Sequence, residues 1–193
     1  MSSHHIVREK QEPALIIYSN EGFNEEYLGQ LLEWSPTVFV YEEEHDYLLS
    51  TGIKIDVLFT RNDKNIPEIQ ELTRIIELNP YSIETALELL IEEEYPSVNI
   101  IGPATLLPQL ANYIDKIDLV LFDHQLKIFP VKTHLDKWYA SGETITIINF
   151  NSENDFSIRG AKALNNITFT TITNGIVTIT TSKSPIFVAE QIA

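Results

Sequence analysis

The residues best suited to chemistry in this chain are carboxylates gathered where strands end. Glu42-Glu43-Glu44-His45-Asp46 follows the apolar run Val38 to Tyr41, and Thr60-Arg61-Asn62-Asp63 follows Val57 to Phe59. Ser19-Asn20-Glu21-Gly22 and Gly102-Pro103-Ala104-Thr105 close two more such runs. In an open parallel sheet, ligands sit beyond the carboxyl ends of the strands, near the point where strand order reverses. Carboxylates beside a phosphate ligand make physical sense through Mg²⁺, whose preference for oxygen and whose charge they satisfy. Magnesium-nucleotide chemistry is therefore the first functional reading. The plainer reading of Glu42 to Asp46 is the acidic first turn of a helix, favoured by the helix dipole, and for the run as a whole it is preferred.

Other chemistries find little footing. The chain has no cysteine, which excludes disulfides, thiolate zinc sites and cysteine nucleophiles, and fits a reducing compartment. His4, His5, His45, His124 and His134 are scattered without ligand spacing. No G-x-S-x-G supports a serine nucleophile, and Gly22 and Gly102 stand alone rather than in a phosphate-cradling loop. A net charge of -15 repels a phosphate backbone, and no basic stripe with interleaved aromatics offsets it, so no nucleic-acid partner is expected. No apolar run is long enough to span a membrane, and Met1 to Lys10 is polar. The expectation is a cytoplasmic protein with no membrane partner.

These residues need a scaffold, and the hydrophobic pattern supplies one. Ala14 to Tyr18, Thr37 to Tyr41, Ile55 to Phe59, Ser97 to Ile101 and Asp118 to Phe122 read as buried strands. Helices fall between them. In Ser82 to Glu94, Ile83, Ala86, Leu87, Leu90 and Ile91 recur at helical spacing behind Ser82, which suits an N-cap. Asn24 to Trp34 offers Tyr27, Leu28, Leu31 and Leu32 as an apolar face, and Leu106 to Ile114 a third helix that Pro108 delays or bends. From about Pro130 the pattern turns to period two: Thr144 to Ile148, Ile167 to Ile172, Ile176 to Thr181 and Ile186 to Val188. Asn174-Gly175 joins two of these runs and predicts a tight type I′ hairpin. Trp138 and Tyr139 are expected to pack between the two parts of the chain. The fold class is thus α/β: an N-terminal, mostly parallel sheet with flanking helices over residues 1–130, and an antiparallel β-rich domain over residues 131–193.

Several stretches resemble the thiamine pyrophosphokinase family. Val38-Phe39-Val40-Tyr41 plus an acidic residue, then Gly52-Ile53-Lys54-Ile55-Asp56-Val57-Leu58, is similar to its strand ending in Asp-Gly and the following G-I-x-x-D, which leads there into G-D-x-D-S. Ser82-Ile83-Glu84-Thr85-Ala86 falls where that family has T-D-L-x-x-A. Asp123-His124-Gln125-Leu126-Lys127-Ile128-Phe129-Pro130 resembles its later D-x-x-x-x-I strand pair, and the Thr-rich β-domain also matches. The order and spacing of these pieces, from Ala14 to Val188, carry the resemblance.

The resemblance implies transfer of a pyrophosphoryl group from ATP to thiamine, with Mg²⁺ on the acidic motifs, thiamine held largely by the β-domain, and a homodimer. Residue by residue, the implied site is altered. Asn20 matches the Asn of the family's first N-G, but Glu21 replaces the glycine. Glu42 replaces an Asp and Glu43 the following Gly. Asp63 matches the second aspartate of G-D-x-D-S, with Arg61 in place of the first and Lys64 in place of the serine. Ser82 replaces the Asp of T-D, only Asn112 survives from the segment written R-x-D-H, and Asn174 falls at the thiamine-contacting S-N-E. The catalytic and metal positions thus reduce to Asp63 and Glu42; Asn20, Arg61, Ser82 and Asn112 are the implied nucleotide contacts, and Asn174 the substrate contact. A guanidinium among metal ligands competes with the cation and pairs with Glu42 or Asp63 instead. Without the metal, phosphoryl transfer loses most of its stabilisation of developing charge.

Three expectations follow: an impaired family member that at most binds a nucleotide or other anion weakly; an active enzyme, using Mg²⁺ and ATP, with a metal site rebuilt from Glu42, Glu44, Asp46 and Asp63; and a non-catalytic dimeric interaction protein. The tight turn at Asn174-Gly175 is counted as a second lesion, at the thiamine end.

Overall fold

The computed structural model describes residues 12–62, 69–148, 156–182 and 184–192. Asp63 and Lys64 lie outside them. Two compact units divide the chain, Met1–Leu119 and Val120–Ala193. The change of pattern read at residue 130 falls at the end of the seventh strand.

In the first unit, four-residue apolar runs become strands buried along their whole length: β1 (Ala14–Ile17), β2 (Val38–Tyr41) and β3 (Val57–Thr60). Continuous apolar character without alternation is what a parallel strand covered on both faces requires. β4 (Arg74–Glu77) and β5 (Ser97–Ile101) complete a parallel sheet in the order β5-β1-β2-β3-β4. Strand order reverses beside β1, so the ends of β1, β2 and β5 are where a ligand crevice belongs. β4 was not foreseen: it is exposed at both ends and does not look like a core strand.

The helices are shorter than their patterns. α1 (Glu25–Leu32) starts at Asn24, whose Oδ1 accepts from Tyr27 N at 3.0 Å, and buries only Leu28. α2 (His45–Ser50) follows a 3₁₀ turn over Glu42–Glu44, and just past its cap Thr51 comes Gly52, whose φ of 73° lets the chain reverse. α3 (Ile83–Glu92) is capped by Ser82 as expected and buries Ile83, Ala86, Leu87 and Leu90. Full burial of each large apolar side chain there contributes roughly 1.5–3 kcal/mol. The helix expected over Leu106 to Ile114 is instead a 3₁₀ turn, Ala104–Leu106, and α4 (Leu107–Leu110). Pro108 is tolerated because it sits in the first turn, where its missing N–H has no partner to lose.

The second unit is antiparallel. β6 (Asp118–Asp123), which spans the boundary, pairs with β7 (Leu126–Val131). β8 is His134–Tyr139, β9 Thr144–Ile148, β10 Phe156–Arg159, β11 Ala161–Ala163, β12 Thr168–Thr171, β13 Gly175–Thr181 and β14 Ile186–Gln191. β7, β14, β9, β12 and β11 run side by side, while β10, β13 and β8 form a separate three-stranded sheet. Both sheets send side chains into one core, including Ile145 and Val188 from the first and Val177 and Ile179 from the second.

This arrangement overturns the hairpin at Asn174-Gly175. β12 pairs with β9 and β11, β13 with β10 and β8, so the residues between them cross from one sheet to the other. Neither Asn174 nor Gly175 has the positive φ that a type I′ turn demands. Period-two alternation identifies two strands and is silent on whether they are partners. The lesion inferred from a shortened turn therefore falls away. Trp138 and Tyr139 also part company: Tyr139 is buried in the core of the second unit, its hydroxyl donating to Glu190 at 3.0 Å, whereas Trp138 is exposed.

Candidate functional site

At the carboxyl ends of the sheet in the first unit, side chains from three connections form one hydrogen-bonded group. β2 delivers Glu42, Glu43 and Glu44 on a 3₁₀ turn, β3 delivers Thr60 and Arg61, and the approach to α3 delivers Tyr81 and Ser82.

Glu42 is the hub. Its Oε2 accepts from Thr60 Oγ1 at 2.5 Å and from the backbone N–H of Arg61 at 3.0 Å, and its Oε1 accepts from Arg61 Nη1 at 2.6 Å. Burial pushes its pKa up, but these donors together outweigh burial and hold the carboxyl below its ordinary range. The other arm of the guanidinium, Nη2, pairs with Glu43. Beneath the fork lies Tyr81, its ring centre 3.9 Å from Arg61 Cζ. Tyr81 closes the loop, donating to Glu43 Oε2 at 2.6 Å and accepting from Glu42 N at 3.1 Å. Burial first, and then the hydrogen bond to Glu43, raise the Tyr81 phenol well above its usual pKa, so it remains a donor.

Glu44 turns to the neighbouring strand end, accepting from the backbone N–H of Asn20 and the hydroxyl of Ser19. Burial raises its pKa more than these bonds lower it. Asp46 stands 90% exposed beside the imidazole of His45. Ser82 acts as a cap, accepting from Thr85 N at 3.3 Å, and its carbonyl accepts from Tyr41 Oη at 2.9 Å.

The structure therefore brings Glu42 and Arg61 into one hydrogen-bonded cluster and seats Ser82 beside it through Tyr41. Asn20 enters through its backbone, against Glu44. Asn112 is exposed in the turn after α4, bonded through its N–H to Gln109 O, and takes no part in the cluster. Asn174 belongs to the second unit, where its Oδ1 accepts from Ser141 N at 2.8 Å. Asp63 lies outside the described residues. Sequence reasoning missed Tyr81 and Thr60. Tyr81 adjoins an N-cap, where periodicity carries no signal, and Thr60 is a strand-end threonine with no exposed surface. Asp56, from the stretch that matched G-I-x-x-D, serves the opposite end of the sheet: its Oδ2 accepts from Val38 N at 3.0 Å. Cavities of about 450 and 370 Å³ also border that amino end, beside Pro13, Trp34 and Pro36.

A divalent cation does not fit this cluster. Both oxygens of Glu42 already accept hydrogen bonds, Arg61 stands between Glu42 and Glu43, and Glu44 faces another strand end. Among the described residues no group of three His, Asp or Glu side chains is arranged to hold a metal.

A five-stranded parallel sheet with polar residues gathered at its carboxyl ends, joined to an antiparallel β-rich unit, defines an α/β chain with a separate β module. Solved structures narrow this. The thiamine pyrophosphokinase of Bacillus subtilis is similar at TM-score 0.69 and 15% identity, over 95% of this chain and 100% of that one. That of Geobacillus thermodenitrificans gives 0.72 at 13% over 92% and 96%, and the yeast thiamin pyrophosphokinase 0.63 at 10% over 98% and 88%. No protein-family model and no curated protein matches the sequence. The chain has the thiamine pyrophosphokinase fold.

Proposed function

We propose that this is a thiamine pyrophosphokinase-like protein, cytoplasmic and directed at small molecules, that does not transfer pyrophosphate from ATP to thiamine through magnesium. One observation carries the reading: Arg61 is clamped between Glu42 and Glu43, with the remaining oxygen of Glu42 taken by Thr60 and the backbone. Phosphoryl transfer relies on a cation to bridge phosphate oxygens and neutralise developing charge. Nucleotide or other anion binding through Arg61 is weak on this reading, since two carboxylates already hold the guanidinium. The rebuilt site of Glu42, Glu44, Asp46 and Asp63 is the competing reading. The outward placement of Asp46 and the turn of Glu44 toward Asn20 weigh against it.

The test is direct: incubate the full chain with ATP, thiamine and MgCl₂ and separate the products by chromatography. Thiamine diphosphate at the level of a protein-free control is expected. Formation that grows with protein concentration overturns the proposal.

A specific feature favours adding self-association to this reading. Trp138 and Ile176 face each other across β8 and β13, 60% and 64% exposed. Such a pair on the outer face of a sheet suits a second copy of the chain. Light scattering at micromolar concentration should give a dimer that Trp138→Ser weakens; a monomeric parent chain removes the idea.

A further inference from the structure

The cluster around Arg61 is closed in a way that bears on what the site needs in order to exist. Glu42 and Glu43 are consecutive residues of a single turn, in a chain of net charge -15. Side by side and uncompensated, they repel each other. Short of protonating one of them, that repulsion is relieved by a divalent cation between them or by a fixed positive side chain.

The chain takes the side chain. The two arms of the guanidinium divide between the two carboxylates, Nη1 to Glu42 and Nη2 to Glu43. Its flat face rests on Tyr81, and Tyr81 in turn bonds both acidic residues, through the Glu43 carboxylate and the Glu42 N–H. A planar fork can span two carboxylates and stack on a ring at once; a point charge such as lysine cannot do all three. The Arg61 backbone adds a further bond to Glu42, so the cation is pinned at both ends of its side chain.

We propose that Arg61 is the resident cation of this site: the carboxyl ends assemble without a divalent metal, and removal of the guanidinium opens Glu42 and Glu43 to one. This rests on the functional reading above and goes beyond it, because it concerns how the site is held together and not whether it turns over. The native chain is indifferent to Mg²⁺ and Mn²⁺. Arg61→Ala exchanges an internal cation for an external one, and Arg61→Lys keeps the charge but loses the two-armed bridge.

The experiment is thermal unfolding of the full chain, of Arg61→Ala and of Arg61→Lys, titrated with MgCl₂ and MnCl₂ against NaCl at matched ionic strength. The parent should show no shift beyond the NaCl control. Arg61→Ala should melt lower and regain about 2–4 °C, saturably, with either divalent salt, as expected for about 1 kcal/mol of linked binding in a chain of this size. Arg61→Lys should melt between the two and respond weakly. Should Arg61→Ala fail to fold, Mn²⁺ paramagnetic resonance on the parent decides: full free-ion amplitude in the presence of excess protein is expected, and loss of amplitude overturns the proposal. Saturable stabilisation of the parent by Mg²⁺, or folded Arg61→Ala with no divalent response, also overturns it. Stabilisation of the parent without thiamine diphosphate formation would sink this inference and leave the functional reading standing; product formation by a metal-indifferent parent would do the reverse.

Discussion

Thr60 Oγ1 donates to Glu42 Oε2 at 2.5 Å, joining the last residue of β3 to the first residue after β2 through a threonine with no exposed surface. The same hydroxyl accepts from Asn62 N at 3.0 Å, so one buried oxygen orders the turn that carries Arg61. Thr60→Val keeps the shape and removes both bonds. It should cost about 1–3 kcal/mol, because a partly buried carboxylate oxygen loses its closest donor. Urea unfolding should show the midpoint fall with an unchanged slope; an unchanged midpoint would mean that Glu42 needs only Arg61.

Ser82 stands where the family resemblance implies an aspartate, and its side chain caps α3. Aspartate caps about as well as serine, whereas alanine costs about 1 kcal/mol. Ser82→Asp should therefore fold with parental stability and still make no thiamine diphosphate, while Ser82→Ala should melt a few degrees lower. Activity in Ser82→Asp alone would show that the Arg61 clamp does not block chemistry.

Two carboxyls of the β2 turn, Glu42 and Glu44, respond oppositely to pH. Glu44 is raised, chiefly by burial, so its contribution is full below the unfolded-chain pKa and is lost as pH rises through the folded value, above the ordinary carboxylate range. Glu42 is lowered by Thr60 and Arg61 against burial, so its contribution is present above the unfolded-chain value and is lost as pH falls through the folded one. Urea midpoints measured across the acid-to-neutral range should reveal both. Glu44→Gln should flatten the decline on the neutral side, and Glu42→Gln the decline on the acid side. A parallel pH profile for either variant would refute the assignment.

In the second unit Gly160 has a φ of 88°, and a Cβ there would lie 2.6 Å from the backbone oxygen of Ile176. Neither the left-handed conformation nor the backbone contact yields to a rotamer change. Gly160→Ala should lose about 2 kcal/mol or more, read as a fall of roughly 4–8 °C in melting temperature. Gly142, also left-handed but with open space at its Cβ, is the control and should lose less.

How far the chain could be read in advance differs between its two halves. The strands β1, β2, β3 and β5 and the helix α3 were legible, because continuous apolar runs and helical spacing each reflect burial on one element's own faces. The acidic turn after β2 and the Ser82 cap were legible for the same local reason. β4 was not, since an exposed edge strand carries no such pattern, and of the helix expected over Leu106 to Ile114 only the place was legible, since α4 stops at Leu110.

By itself the sequence determined the α/β-then-β order of elements, the acidic character of the strand ends, and the placing of a guanidinium among them at Arg61. Pairing was left to the tertiary structure. Asn174-Gly175 has a hairpin's composition yet links two sheets, because alternation names a strand's faces and not its neighbours. In the same way only the fold could show that Arg61 chooses Glu42 and Glu43 together, over a tyrosine twenty residues downstream, since that choice depends on where three separate loops meet.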